Sequence, residues 1–236
     1  MSQTRESQHQ ALFRPLPFGP HTLRNRIVMS PMTRQRSPGG IPGEQSAAYY
    51  RRRAEGGVGL IITEGTCIGH PAASGYKDVP DLSGIQSLKG WRRVVEAVHQ
   101  AGARIVPQLW HVGPIRRPGM GPDPQVPGYG PSEISEEGKL LVKAMTLDDI
   151  EEVIEAYAQA ARDAQAVGFD GVEIHGAHEY LLDSFIWSRR NQRDDEYGGS
   201  LANRTRLAAR VVQAVRKATG PDFPILFRFS QWKISD

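Results

Sequence analysis

Short apolar runs alternate with amphipathic helical stretches along this chain, and that alternation limits the folds open to it. Ile27-Val28-Met29, Gly59 to Thr63, Arg104 to Trp110, Phe169 to Ile174 and Ile225 to Phe229 each read as a strand. Between them, Glu44 to Ala54, Trp91 to Gln100, Leu147 to Val167 and Leu201 to Ala218 read as helices, stopped by Gly56-Gly57, Gly102, Gly168 and Gly220-Pro221. The third helix is the clearest: Thr146 can cap it, Asp148 and Asp149 favour its first turn, and Ile150, Val153, Ile154, Tyr157 and Ala161 make one apolar stripe. Strands this short and apolar on both faces need helices covering a parallel sheet. No Gly-x-Gly-x-x-Gly follows any of them, so a barrel fits better than a doubly wound dinucleotide sheet. Leu16 to Leu23 reads as a small hairpin able to plug the barrel's N-terminal end. Residues 113–131, rich in Pro and Gly, read as a long loop of the kind that carries function or moves. Residues 1–11 read as a disordered tail and 12–236 as one barrel domain with about five β/α units.

Composition removes several function classes. The formal charge is only +3, and the basic clusters Arg51-Arg52-Arg53, Arg116-Arg117 and Arg189-Arg190 are scattered. Nucleic-acid binding needs a denser stripe, so these read as solvated faces or local ion pairs. With one cysteine, Cys67, no internal disulfide forms, and its place after Leu60-Ile61-Ile62 reads as a buried structural thiol. The polar first ten residues show no secretory signal, and no apolar run approaches the roughly 18 residues of a membrane span. The expectation is a cytoplasmic protein without a membrane or nucleic-acid partner.

The most informative local run is His175-Gly-Ala-His178-Glu-Tyr180, directly after the strand that ends at Ile174. It delivers two imidazoles and a phenol to the C-terminal end of a parallel strand, the face where barrels of this kind do chemistry. Two N–H donors beside an acid suit a reaction that builds negative charge on a substrate oxygen and then needs a proton. Each residue also has a plainer reading. The histidines could simply bond one another, or bind a metal with Glu173 or His111 as third ligand, although Glu173 is expected to point away from its strand neighbours. Gln108 could satisfy buried backbone, Arg228 could pair with a carboxylate, and Tyr180 could be core. Asp194-Asp195-Glu196 reads as a solvated acidic turn, and Ser200 as the N-cap of the next helix.

The segments Asn25-Arg-Ile-Val-Met-Ser-Pro-Met-Thr33, Leu60-Ile-Ile-Thr-Glu-Gly65, Pro107-Gln-Leu-Trp-His111, His175 to Tyr180, Arg193 to Ser200 with Asn203-Arg204, and Phe227-Arg-Phe229 occur in one order. In these the chain resembles the old yellow enzyme family of flavin-dependent ene-reductases, from about Leu12 to its last residue. The resemblance implies a TIM-type (β/α)8 barrel that binds FMN at its C-terminal face. It further implies reduction of activated alkenes (enones, maleimides, nitroalkenes) with electrons from NADPH or NADH. It places Pro31, Met32 and Thr33 along the flavin ring, and Gly65 where the ring approaches backbone. Gln108 falls at the ring's pyrimidine edge and Arg228 near N1 and O2. His175 and His178 would hold the substrate oxygen, Tyr180 would protonate the α carbon, and Trp110 would shape the pocket. No metal is implied. Family members run well past this length, so the chain is expected to hold five of eight units and to lack those that grip the FMN phosphate. The strand ending at Phe229 should then leave an open edge, a route to self-association. Two other readings remain: a non-catalytic remnant that binds a small molecule or partner, and a metal-dependent barrel hydrolase.

Overall fold

A computed structural model describes residues 9–231. Its main sheet has five strands, all parallel: β3 (Val28–Met29), β4 (Leu60–Cys67), β5 (Arg104–Trp110), β9 (Val172–Gly176) and β10 (Ile225–Phe229), in the order β10-β9-β5-β4-β3. Ahead of it, β1 (Leu16–Phe18) and β2 (His21–Leu23) pair as an antiparallel hairpin. The helices are α1 (Glu44–Glu55), α2 (Ile85–Gln100), α3 (Leu147–Val167), α4 (Leu181–Ile186), α5 (Leu201–Arg204) and α6 (Arg206–Thr219). This is the incomplete (β/α) barrel expected from the alternation, with β3 and β10 as its two edges.

Strand alternation divides the core in two. Outward-facing Ile61, Ile105, Leu109, Val172 and Ile174 pack with the stripes of α2, α3 and α6: Trp91 and Val95, Ile150 and Tyr157, Val211 and Val215. Inward-facing Leu60, Ile62 and Val106 pack instead with Leu23, Leu16 and Phe18 of the hairpin and with Leu226. The hairpin therefore does plug the barrel floor. Helix α3 ends as its sequence dictates: Thr146 and Asp149 form a reciprocal capping box, and Gly168 closes the helix at φ +104°. Ser200 caps α5 through the Asn203 N–H, and Cys67 is buried. No helix among the described residues is long and apolar enough to cross a membrane.

Several boundaries moved, each for a packing reason. Helix α2 begins at Ile85 rather than Trp91, because Gly90 does not stop it; a Cβ there would lie 2.3 Å from the Pro42 carbonyl, so the glycine serves helix–loop contact. The strand expected from Phe169 starts at Val172. Asp170 turns the chain instead, accepting from the Ile105 N–H at 2.8 Å and pairing with Arg104 and His99, so His175 lies inside the strand. Strand β4 continues to Cys67 across an irregularity between Ile62 and Gly65. The helix from Leu201 breaks at Thr205.

The region read as a long loop contains β6 (Gly128–Gly130), and it runs on into β7 (Ile134–Glu136) and β8 (Lys139–Ala144), a small three-stranded sheet. The loop is anchored by Arg116, which is wholly buried. Its guanidinium donates to the carbonyls of Val126, Gly121 and Met120 at 2.9–3.1 Å, and to those of Ser74 and Asp123. Arg116 is therefore no solvated charge: with many local carbonyls around it, burial is satisfied by backbone oxygens. Of the tail read as disordered, residues 9–11 are described and form exposed helical turns, and residues 1–8 lie outside the described residues.

Candidate active site

The C-terminal ends of β3, β5, β9 and β10 surround one cavity of about 140 Å³, lined by Ser30, Pro31, Thr33, Gln108, Trp110, His175, His178, Tyr180 and Arg228. Residues scattered over two hundred positions meet there because parallel strands all point their C-terminal ends the same way. Alternation selects which side chains enter. Gln108 and Trp110 share the inner face of β5, Glu173 and His175 that of β9, and Leu226 and Arg228 that of β10. Glu173 thus points to the same side as His175, not away from the site. The parity of positions 173 and 175 already implied as much.

One row up from the apolar floor, Glu173 is 3% exposed and holds two neighbours. Its Oε1 accepts from Gln108 Nε2 and from Arg228 Nε, both at 2.8 Å, and its Oε2 accepts from Arg228 Nη2 at 3.1 Å. The next row is aromatic. Trp110 stacks on His175 with centroids 6.3 Å apart and meets Tyr180 edge-on at 5.0 Å. His175 lies edge-on to His178 at 5.2 Å and to Tyr180 at 5.1 Å. Gly65 does not line the cavity; a Cβ there would sit 2.5 Å from Trp110 Cε3, so in this structure its missing side chain makes room for the indole. Met32 is 56% exposed and also stands outside the cavity lining.

The turn that carries His178 and Tyr180 is conformationally demanding. His178 and Glu179 both have φ +61°, a left-handed pair without glycine. Each such residue costs about 1–2 kcal/mol, so the surroundings must hold it. Tyr180 N–H donates to Ala177 O at 3.3 Å, Leu181 N–H to His111 O at 3.2 Å, and Glu179 N–H to the buried Asp183 carboxylate at 2.8 Å. Burial, then the neighbouring His178 and Arg228, pushes the His175 imidazolium down to about 3, so the ring is neutral near pH 7. Burial and a 3.3 Å hydroxyl contact with Tyr76 raise Tyr180 above its ordinary value, which keeps its proton in place.

Tyr76 was not legible as a site residue. It stacks on Trp110 at 5.4 Å from a loop without periodicity, and only the tertiary fold brings it there. His111, offered as a third metal ligand, faces elsewhere. Its Nδ1 accepts from the Gly113 N–H at 3.0 Å, so Nε2 carries the proton and donates to His70 Nδ1 at 3.1 Å. Among the described residues no three His, Cys, Asp or Glu side chains are grouped to hold a metal ion.

A parallel β/α sheet with donors and an acid at the C-terminal ends of its strands defines a partial barrel of the class that presents a ligand cavity above its strands. The family follows from comparison: residues 11–235 match the NADH:flavin oxidoreductase / NADH oxidase family, and the chain belongs to it. It is 41% identical over 214 residues to 12-oxophytodienoate reductase 1 of Oryza sativa subsp. japonica, covering 89% of this chain and 56% of that protein. Against 12-oxophytodienoate reductase 2 of Arabidopsis thaliana the identity is 37% over 232 residues, covering 94% and 62%. A solved structure of morphinone reductase in complex with tetrahydroNAD superposes with a TM-score of 0.85 at 39% identity, covering 93% of this chain and 63% of that one. An Old Yellow Enzyme from a Pichia species gives 0.84 at 38%, covering 93% and 59%. The chain thus spans about three fifths of the length of these relatives.

The donor set fits the polar edge of a flavin ring. A hydroxyl (Thr33), an amide (Gln108) and a guanidinium (Arg228) are among the groups that line the cavity. In the same lining, His175 Nδ1 and Trp110 Nε1 are buried without a hydrogen-bond partner. A buried polar atom left unpaired costs about 1–3 kcal/mol, so a site holding such atoms is one that a ligand completes.

Proposed function

We propose that this chain carries the ring-side half of an FMN-dependent ene-reductase site, acting on electron-poor alkenes such as enones, maleimides or nitroalkenes, with NADPH or NADH as reductant. The observation that carries the reading is the meeting of His175, His178 and Tyr180 with Thr33, Gln108 and Arg228 around one cavity. Family membership and the nicotinamide analogue bound in the morphinone reductase relative support the same reading. When bound, FMN supplies the hydride that reaches the alkene's β carbon. Thr33, Gln108 and Arg228 would hold the ring by its polar edge, with Pro31 along its face. The roles of Met32 and Gly65 toward the ring rest on the resemblance.

His175 and His178 would donate to the substrate carbonyl or nitro oxygen. As β-carbon reduction proceeds, negative charge collects on that oxygen, and donors already in place stabilise it without reorganising. A neutral His175 suits this task, because an N–H donor serves without adding a charge that must first be desolvated. Tyr180 then gives its proton to the α carbon. Its raised pKa matters little against a carbon base, and it keeps the phenol protonated at all working pH values. Trp110 walls the cavity and would limit the substrate's width, backed by the Tyr76 ring stacked on it.

Phenol binding tests the electrophile site directly. FMN-loaded protein titrated with a phenol should develop a charge-transfer band, and His175→Ala should weaken that binding at least tenfold while leaving flavin content nearly unchanged. Loss of flavin with phenol affinity intact would remove His175 from this role.

A further inference from the structure

Among the described residues, Glu173 is the carboxylate that stands in the row of Gln108 and Arg228, and it joins these two residues, which the resemblance treats separately. Gln108 comes from β5 and Arg228 from β10, with β9 between them, and Glu173 on β9 reaches both. A carboxylate only accepts, so the Gln108 amide must turn its nitrogen toward Glu173 and its oxygen the other way. The same carboxylate takes Arg228 Nε and Nη2 as a two-pronged pair and leaves Nη1 outside it. This pairing fixes the plane of the guanidinium as well as its position. It also sets a full negative charge against Arg228. Glu173 is almost wholly buried, whereas the Arg228 side chain is 32% exposed. The carboxylate therefore depends on these partners more than they depend on it.

We propose that Glu173 is a positioning residue that orients Gln108 and Arg228 as one unit and offsets the arginine's charge at the flavin edge. The orienting part stands on the geometry alone; the charge part rests on the flavin reading above. With Arg228 alone, the site would favour the anionic reduced ring strongly. With Glu173 present, part of that preference is cancelled, so the bound flavin is a better hydride donor than an unpaired arginine would allow.

The test has two readouts on wild type, Glu173→Gln and Glu173→Ala. In protein without added FMN, the Arg228 Nε–H resonance, assigned by its loss in Arg228→Lys, should exchange slowly with solvent. Glu173→Ala should speed that exchange at least about tenfold. A wild-type Nε–H exchanging as fast as those of exposed arginines overturns the clamp, whatever becomes of the flavin reading. Should Glu173→Ala fail to fold, Glu173→Met carries the same comparison, since it removes both acceptor oxygens and keeps most of the volume. In FMN-loaded protein, Glu173→Gln should favour reduced over oxidised FMN by about tenfold, a rise of about 30 mV in the two-electron midpoint. A purely structural role would loosen both forms equally and leave the midpoint where it was; an unchanged or lowered midpoint overturns the charge offset. Because the chain spans about three fifths of its relatives' length, FMN is added to saturation; failure of the wild type to bind even then would sink the flavin reading and the charge offset with it, while the exchange measurement would still decide the clamp.

Discussion

Val106 and Gln108 lie two residues apart on the same inner face of β5, as do Leu226 and Arg228 on β10, yet the lower pair packs and the upper pair lines the cavity. At the floor, Leu60, Ile62 and Val106 meet the hairpin residues Leu16, Phe18 and Leu23 in a small apolar cluster. Above it, Gln108, Glu173 and Arg228 are linked by hydrogen bonds, and above those His175 and Trp110 keep polar atoms unpaired. The floor is complete in itself, whereas the upper end still has polar atoms to satisfy. Apolar packing and the polar cavity lining are therefore separated along a single strand by about 7 Å, two residues of rise.

That separation can be broken at either end. The largest effect should come from Tyr180→Phe, which removes the proposed proton donor. Alkene reduction should slow by about 100- to 10,000-fold, while reduction of the flavin by the nicotinamide cofactor and the urea midpoint stay close to wild type. Stopped-flow measurement of the two half-reactions separately decides it; an equal slowing of both would give Tyr180 a packing role. At the floor, Ile62→Ala should lower stability by about 2–5 kcal/mol through lost burial and the cavity left behind. Equilibrium urea unfolding measures this. If Ile62→Ala instead spares stability and abolishes phenol binding, the two ends are not separate.

The smallest expected effect lies in acid. Burial holds His175 at about 3 and His70 at about 4, both below the ordinary 6.5. Between those values and 6.5 the unfolded chain takes up protons that the folded one does not, so stability is full above about pH 6.5 and falls as pH drops below it. For His175, 1.5 pH units below 6.5 amount to about 2 kcal/mol at pH 5. His175→Asn should remove its share of the slope between pH 6.5 and 5 and leave that of His70. An unaltered slope in that variant would show that His175 titrates normally in the folded protein.

Much of this was legible from residue order. The five strands, the capping box at Thr146 and Asp149, the helix stop at Gly168 and the hairpin all follow from local pattern, because caps, turns and alternation act over a few residues. The strand-end positions of Gln108, Trp110, His175 and Arg228 were legible for the same reason. Tyr76 was not, since nothing near it in the chain says that its ring will stack on Trp110. Neither was the burial of Arg116: a pair of adjacent arginines reads as a solvated cluster until a loop wraps one of them in carbonyls.

Sequence alone determined that this chain builds a parallel β/α sheet and that imidazoles, a phenol, an amide and a guanidinium stand at the C-terminal ends of its strands. Tertiary structure decided which of them meet. Periodicity of two says which face a side chain takes, but register between strands says what lies opposite it, and register depends on contacts far apart in the chain. That is why Glu173 reads in the sequence only as a possible metal ligand pointing away from its strand neighbours, and only the pairing of β9 with β5 and β10 makes it the carboxylate that holds Gln108 and Arg228 together.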